Sequence, residues 1–152
     1  PGNEVRLMGA YFVTCTSVEK DENGVITAVH CTYDPETRGG NCETRKVKGT
    51  IHWVAAETAL EATCRLYENI VDEEKGVYNE EDGSLNLNPN SLEVLEGCRL
   101  EPAFAGAQAF DSFQFVRNGF FCVDYKDSTP EHLVFNRIVS LKSSFKLPAQ
   151  NG

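Results

Sequence analysis

The chain has 152 residues, 41% of them apolar, the size of one domain or two very small ones with a sizeable core. No apolar run approaches a membrane span, and the N-terminal P-G-N-E-V-R-L lacks the basic-then-apolar pattern of a secretory leader, so the expected location is cytoplasmic. The formal net charge of −9, taken whole, argues against nucleic acid. Its distribution weakens that exclusion. Residues 68–82 hold seven acids and one lysine and carry −6, leaving only −3 on the remaining residues. The body is nearly balanced, and the acidic segment reads as a solvated insertion.

Strand signals dominate the chain in order. Val5 to Val18 is rich in β-branched and aromatic residues. Asp21-Glu22-Asn23-Gly24 forms a turn, and Val25, Thr27, Val29, Cys31 and Tyr33 alternate along the returning strand. Asp34 to Thr44 is a loop with Pro and paired glycines. Arg45 to Val54 reads as a further strand, in which Val47, Gly49, Ile51 and Trp53 alternate with Lys46, Lys48, Thr50 and His52. Lys46 and Lys48 share a face there. Such a face can track a phosphate backbone or protect a strand edge from aggregation.

Ala55 to Ile70 is ambiguous: its Ala, Glu and Leu favour helix, while Cys64 and Leu66 also alternate as a strand. The acidic segment and a polar stretch to Ser91 follow. Leu92 to Leu100 is a strand candidate. Residues 113–125, F-Q-F-V-R-N-G-F-F-C-V-D-Y, read as a hairpin turning at Asn118-Gly119. Gln114 and Arg117 stand there among aromatic residues, where an amide and a guanidinium suit recognition of single-stranded bases. Leu133 to Lys142 is the last strand. Short strands with frequent turns predict an all-β barrel or sandwich.

Other chemistries find little support. His30, Cys31, Cys42 and His52 lack the ligand spacings of a zinc site, so no metal is expected. No local Cys–His arrangement points to a nucleophile, and no glycine-rich phosphate loop is present. The six cysteines are spread singly, mostly in apolar windows, and read as reduced thiols.

The ordered strings E-V-R-L (4–7), C-T-Y-D (31–34), R-K-V-K-G-T-I-H-W-V (45–54), R-L-Y (65–67), N-P-N-S-L (88–92), F-Q-F-V-R-N-G-F-F-C-V-D (113–124) and F-N-R-I-V-S-L (135–141) closely resemble the C-terminal anticodon-binding region of the glutaminyl-tRNA synthetase family. The resemblance runs from about residue 2 to 147 and is weakest in the acidic segment and at 103–112. It implies an all-β fold of two small β-barrels. Residues 1–71 would form most of the distal barrel, 72–87 an acidic surface loop, 88–147 the returning strands of the proximal barrel, and 148–152 a tail. It implies strand over 62–71, and it implies that the proximal barrel's first strands lie upstream of Pro1.

By the same resemblance, the partners are a tRNA anticodon loop and a parent catalytic domain, with no membrane or DNA. Gln114 and Arg117 match the pair that reads the central anticodon base, and Arg6 matches an arginine at the first. Met8 stands where related enzymes can carry a second arginine. Lys46 and Lys48 complete the RNA-binding set. ATP and magnesium belong to the parent enzyme. The family's ATP signatures are absent, so this chain alone is expected to have no catalytic residues. An archaeal- or eukaryotic-type glutamyl-tRNA synthetase is the nearest alternative, and a protein-interaction barrel without an RNA role the more distant one. An incomplete proximal barrel further predicts self-association through the strands of 92–142.

Overall fold

The computed structural model describes residues 1–72 and 74–141. The last residue of the final predicted strand, the rest of the range to 147 and the tail 148–152 lie outside them. Contacts divide the chain into two compact units, Pro1–Trp53 and the remainder from Val54. The fold is all-β: nine strands in two mixed sheets and two short 3-10 turns among the described residues.

The first unit holds β1 (Glu4–Leu7), β2 (Phe12–Lys20), β3 (Ile26–Asp34) and β4 (Thr50–Ile51), ordered β3-β2-β1-β4. The expected strand from Val5 to Val18 is therefore two strands. A tight turn divides them, with Leu7 N–H donating to Tyr11 O (2.8 Å) and Ala10 N–H to Leu7 O (3.0 Å). β1 pairs antiparallel with β2 and parallel with β4. The core is small and centres on buried Phe12 and Val13. Thr37, from the 3-10 turn Pro35–Thr37, is fully buried. Its hydroxyl accepts the Phe12 N–H at 2.8 Å and donates to Asp34 O at 2.7 Å, satisfying two backbone groups the core would otherwise orphan.

One further expectation in this unit needs correction. The strand predicted over 45–54 contracts to Thr50–Ile51, because β1 offers it only a short edge, with Arg6 N–H donating to Gly49 O and Met8 N–H to Ile51 O, both at 2.9 Å. The alternation of β3 buries no face. Val25, Ile26, Val29 and Tyr33 are all exposed, and bulges at Cys15/Ser17 and Glu19/Lys20 twist the hairpin.

The second unit holds β5 (Leu60–Tyr67), β6 (Leu92–Leu100), β7 (Ser112–Phe115), β8 (Gly119–Val123) and β9 (Leu133–Ser140), ordered β6-β5-β9-β8-β7. The ambiguous segment is strand: tertiary pairing of β5 with β6 and β9 overrides its helix propensity. Because both partners of β5 lie in this sheet, the contact boundary falls at 53/54, one strand earlier than the expected division after residue 71. The core gathers Ala62, Cys64, Leu100, Phe121, Val123, Leu133 and Phe135. A 3-10 turn, Pro102–Gly106, inserts Phe104 edge-on against Phe113, Phe115 and Phe135. Each fully buried large apolar side chain contributes about 1.5–3 kcal/mol. Among the described residues, the end strands of neither sheet hydrogen-bond to each other.

The described residues of the acidic segment are mostly exposed and carry local pairing. Isolated bridges pair Val71 with Leu87 and Tyr78 with Leu85, and the Asn86 amide donates to the carbonyls of Lys75 and Gly76.

Candidate nucleic-acid interface

The aromatic cluster fixes the β7–β8 hairpin. Phe113 and Phe115 turn inward, while Ser112 and Gln114 face solvent. The turn falls earlier than Asn-Gly predicted. It occupies Val116–Asn118, with Asn118 N–H donating to Phe115 O (2.8 Å) and its side-chain amide to Val116 O (3.1 Å). Arg117 adopts φ +69°, and Gly119 (φ +139°) already belongs to β8. Glycine is required there because a Cβ would sit 2.6 Å from Val139 O.

This placement bears on how Gln114 and Arg117 meet a ligand. On a regular strand, residues 114 and 117 have opposite parity. Arg117 is on the turn, so strand parity does not govern it. Arg117 and Asn118 line a cavity of about 380 Å³, with Arg99 and Arg137 beside them and an apolar floor that includes Cys64 and Phe115. Gln114 is not part of that lining; it stands on the outer face of β7. Arg137 is held by the Glu68 carboxylate and also donates to Tyr67 O at 3.4 Å. Burial pushes the Cys64 thiol up to about 12, which leaves it protonated and unreactive. Arg99 and Arg137 escaped the sequence reading because they come from separate strands, β6 and β9, with no local motif.

In the first unit, Arg6 is half-buried, with its guanidinium 5.3 Å from the centre of the Phe12 ring. Its Nε is buried without a hydrogen-bond partner. Arg45 also lies 5.3 Å from that ring and donates to both Glu4 oxygens (3.0 and 2.8 Å) and to Asp34. The Arg45 guanidinium holds both carboxyls below their usual range. Arg45 is thereby committed inside the protein. Lys46 and Lys48 are exposed, and neither forms an ion pair among the described residues. Met8 is half-buried, and its carbonyl accepts the Trp53 indole N–H at 3.0 Å. Two of the four residues weighed for zinc have other partners: His30 Nε2 lies 2.7 Å from Glu19 Oε1, and Cys42 Sγ lies 3.1 Å from the Thr44 hydroxyl.

The sequence also gave no sign of the backbone at Phe110. Its N–H donates to Val123 O (3.1 Å), and Val123 N–H donates to Asp111 O (2.9 Å), so two residues oppose one. That is a bulge whose first position favours glycine, yet Phe110 occupies it at φ +71°. The ring is 69% exposed and stacks on Tyr125, itself 68% exposed, at 5.3 Å between centres and 12° between planes.

Comparison with known proteins places this geometry. Two family models, each described as the anti-codon binding domain of class I tRNA synthetases (E and Q), match residues 1–34 and 50–124. A glutamine–tRNA ligase of Clostridioides difficile is 54% identical over 147 residues, covering 96% of this chain and 26% of that protein. One from Clostridium perfringens is 53% identical over 152 residues, covering 97% and 27%. One from Pseudomonas putida is 50% identical over 147 residues, covering 95% and 26%. The chain thus spans about a quarter of the length of these relatives. It belongs to the anticodon-binding domain family of the class I glutamyl- and glutaminyl-tRNA synthetases.

Proposed function

We propose that this chain is the tRNA-reading part of a glutamine–tRNA ligase, positioning its tRNA for ATP- and magnesium-dependent aminoacylation by a catalytic domain elsewhere in the parent protein. The observation that carries this reading is the 54% identity to a glutamine–tRNA ligase over 96% of the chain. On it, Gln114 and Arg117 contact the central anticodon base, Arg6 the first base, and Lys46 and Lys48 the phosphates. The unit ending at Trp53 corresponds to the distal barrel, and the strands from Val54 onward to the returning part of the proximal one. The parent works in the cytoplasm.

The hairpin geometry supports the central assignment. Arg117 stands on the turn at φ +69°, outside the β7–β8 ladder, so the in-and-out alternation of the strand does not set its direction. Unstacked bases expose the edges that such groups discriminate. Binding at fixed salt tests the proposal in the full-length ligase. Arg117→Ala should weaken cognate tRNA by roughly 1–3 kcal/mol and relax discrimination at the central anticodon base. Unchanged discrimination would remove Arg117 from the site.

Self-association belongs to the same reading. β6 and β7 are the two edges of the second sheet, and Leu92, Val94 and Leu95 of β6 are exposed. Sedimentation of the 152-residue chain over a concentration series should show reversible association. A strict monomer throughout would refute it.

A further inference from the structure

We infer that Phe110 and Tyr125 form a stacking platform for an unpaired base of the bound RNA, separate from the groups that read the anticodon edges. The inference rests on the tRNA-reading proposal above. Three observations carry it. The first is the backbone: a bulky residue sits at φ +71° in a bulge position that glycine fills at no steric cost. The bulge is pinned on both sides. Asp111 N–H donates to Gln108 O (3.0 Å), and Asp111 Oδ2 accepts the Gln108 N–H (2.9 Å). A strained, solvent-exposed residue held in place by its surroundings points to function rather than packing.

The second observation is the ring pair. Phe110 and Tyr125 lie nearly parallel, and both are about two-thirds exposed. Burial does not explain the arrangement. A nearly parallel pair does offer a flat outer face, which is what a nucleobase stacks upon whatever its identity.

The third observation is placement. Phe110 precedes Gln114 by four residues along the β7 side of the hairpin, roughly 13 Å on an extended chain. A base reaching the platform would therefore belong to the same loop strand as one meeting Gln114. Lys126 follows Tyr125 and forms no ion pair among the described residues. Asp124 and Asp127 share the single Arg65 cation, and Asp111 accepts the Gln108 N–H. The platform therefore offers a base stacking rather than charge.

The test uses the full-length ligase and RNA hairpins with a glutamine anticodon, carrying 2-aminopurine at each loop position in turn. Wild type should quench fluorescence at a position outside the central anticodon base. The double variant Phe110→Gly, Tyr125→Ser should abolish that quench and weaken binding about ten-fold, leaving the ratio of cognate to anticodon-mutated affinity unchanged. Tyr125→Trp should restore both quench and affinity. Glycine relieves the backbone at 110, so loss of fold does not account for weakened binding. Wild-type anticodon discrimination with no change in the double variant would overturn the platform alone. Unchanged RNA binding with a lowered melting temperature would overturn it in favour of protein docking. A wild-type enzyme that ignores the anticodon would overturn the tRNA-reading proposal, and the platform with it.

Discussion

Gly119→Ala probes the joint on which the hairpin depends. Two costs add. At φ +139° an alanine is strained, a penalty of about 1–3 kcal/mol. Its Cβ would also meet Val139 O at 2.6 Å. That oxygen belongs to β9 backbone and cannot rotate away, so β8 or β9 must shift by several tenths of an ångström and the pairings Gly119↔Ser140 and Phe120↔Val139 loosen. Together these give about 3 kcal/mol, or a fall in Tm of roughly 10 °C. Gly24→Ala is the control: φ is +80° in open space, so only the backbone penalty applies, about 1 kcal/mol. Urea unfolding of both variants measures the difference, and hydrogen exchange at Asn118 and Ser140 locates it. If Gly119→Ala costs no more than Gly24→Ala, the close approach to Val139 is not what demands glycine.

In the first unit, Thr37→Val should destabilise by about 2 kcal/mol in urea unfolding, because it orphans the buried Phe12 N–H; Thr37→Ser should recover most of the loss. Asp124 tests the acid limb. The Asn136 amide, then the backbone N–H groups of Asp127 and Lys126, hold its carboxyl below the usual range. A lowered folded pKa stabilises the native state above the unfolded value of about 3.9, and that contribution is lost as pH falls through the folded pKa. Asp124→Asn should therefore reduce stability at neutral pH and flatten the slope of stability against pH below about 4. An unaltered slope in acid unfolding curves would exclude Asp124 as its source.

Much of this arrangement was legible in the residues, and the departures have physical causes. The hairpin at 113–125 was readable because alternating phenylalanines need a buried face, and Phe104 and Phe135 supply it. Its turn was misplaced because Asn-Gly signals a turn only when glycine serves the loop; here Gly119 serves close packing against β9. Val47, Lys48 and Gly49 alternate like a strand, but β1 reaches this stretch only through Arg6 N–H to Gly49 O, and paired register begins at Thr50. Arg45 adjoins Lys46 in sequence but does not join the Lys46 and Lys48 pair. It is held instead by Glu4 and Asp34, which lie 41 and 11 residues away. The strained Phe110 was invisible because side-chain type carries no record of φ.

The parallel pairing of β5 with β9 has a consequence for synthesis. Ala62 pairs with Leu133, some 70 residues later, and every interior position of the second sheet depends on β9 standing between β5 and β8. At about 5–20 residues per second of translation, β5 waits roughly 4–14 s for that partner. Once β6 is made, β5 pairs with it alone, with one ladder of backbone groups and the side chains of Ala62 and Cys64 open to solvent. The nascent second unit therefore stays adhesive until β9 is available, and the pairing of β9 with β5 ends that exposure.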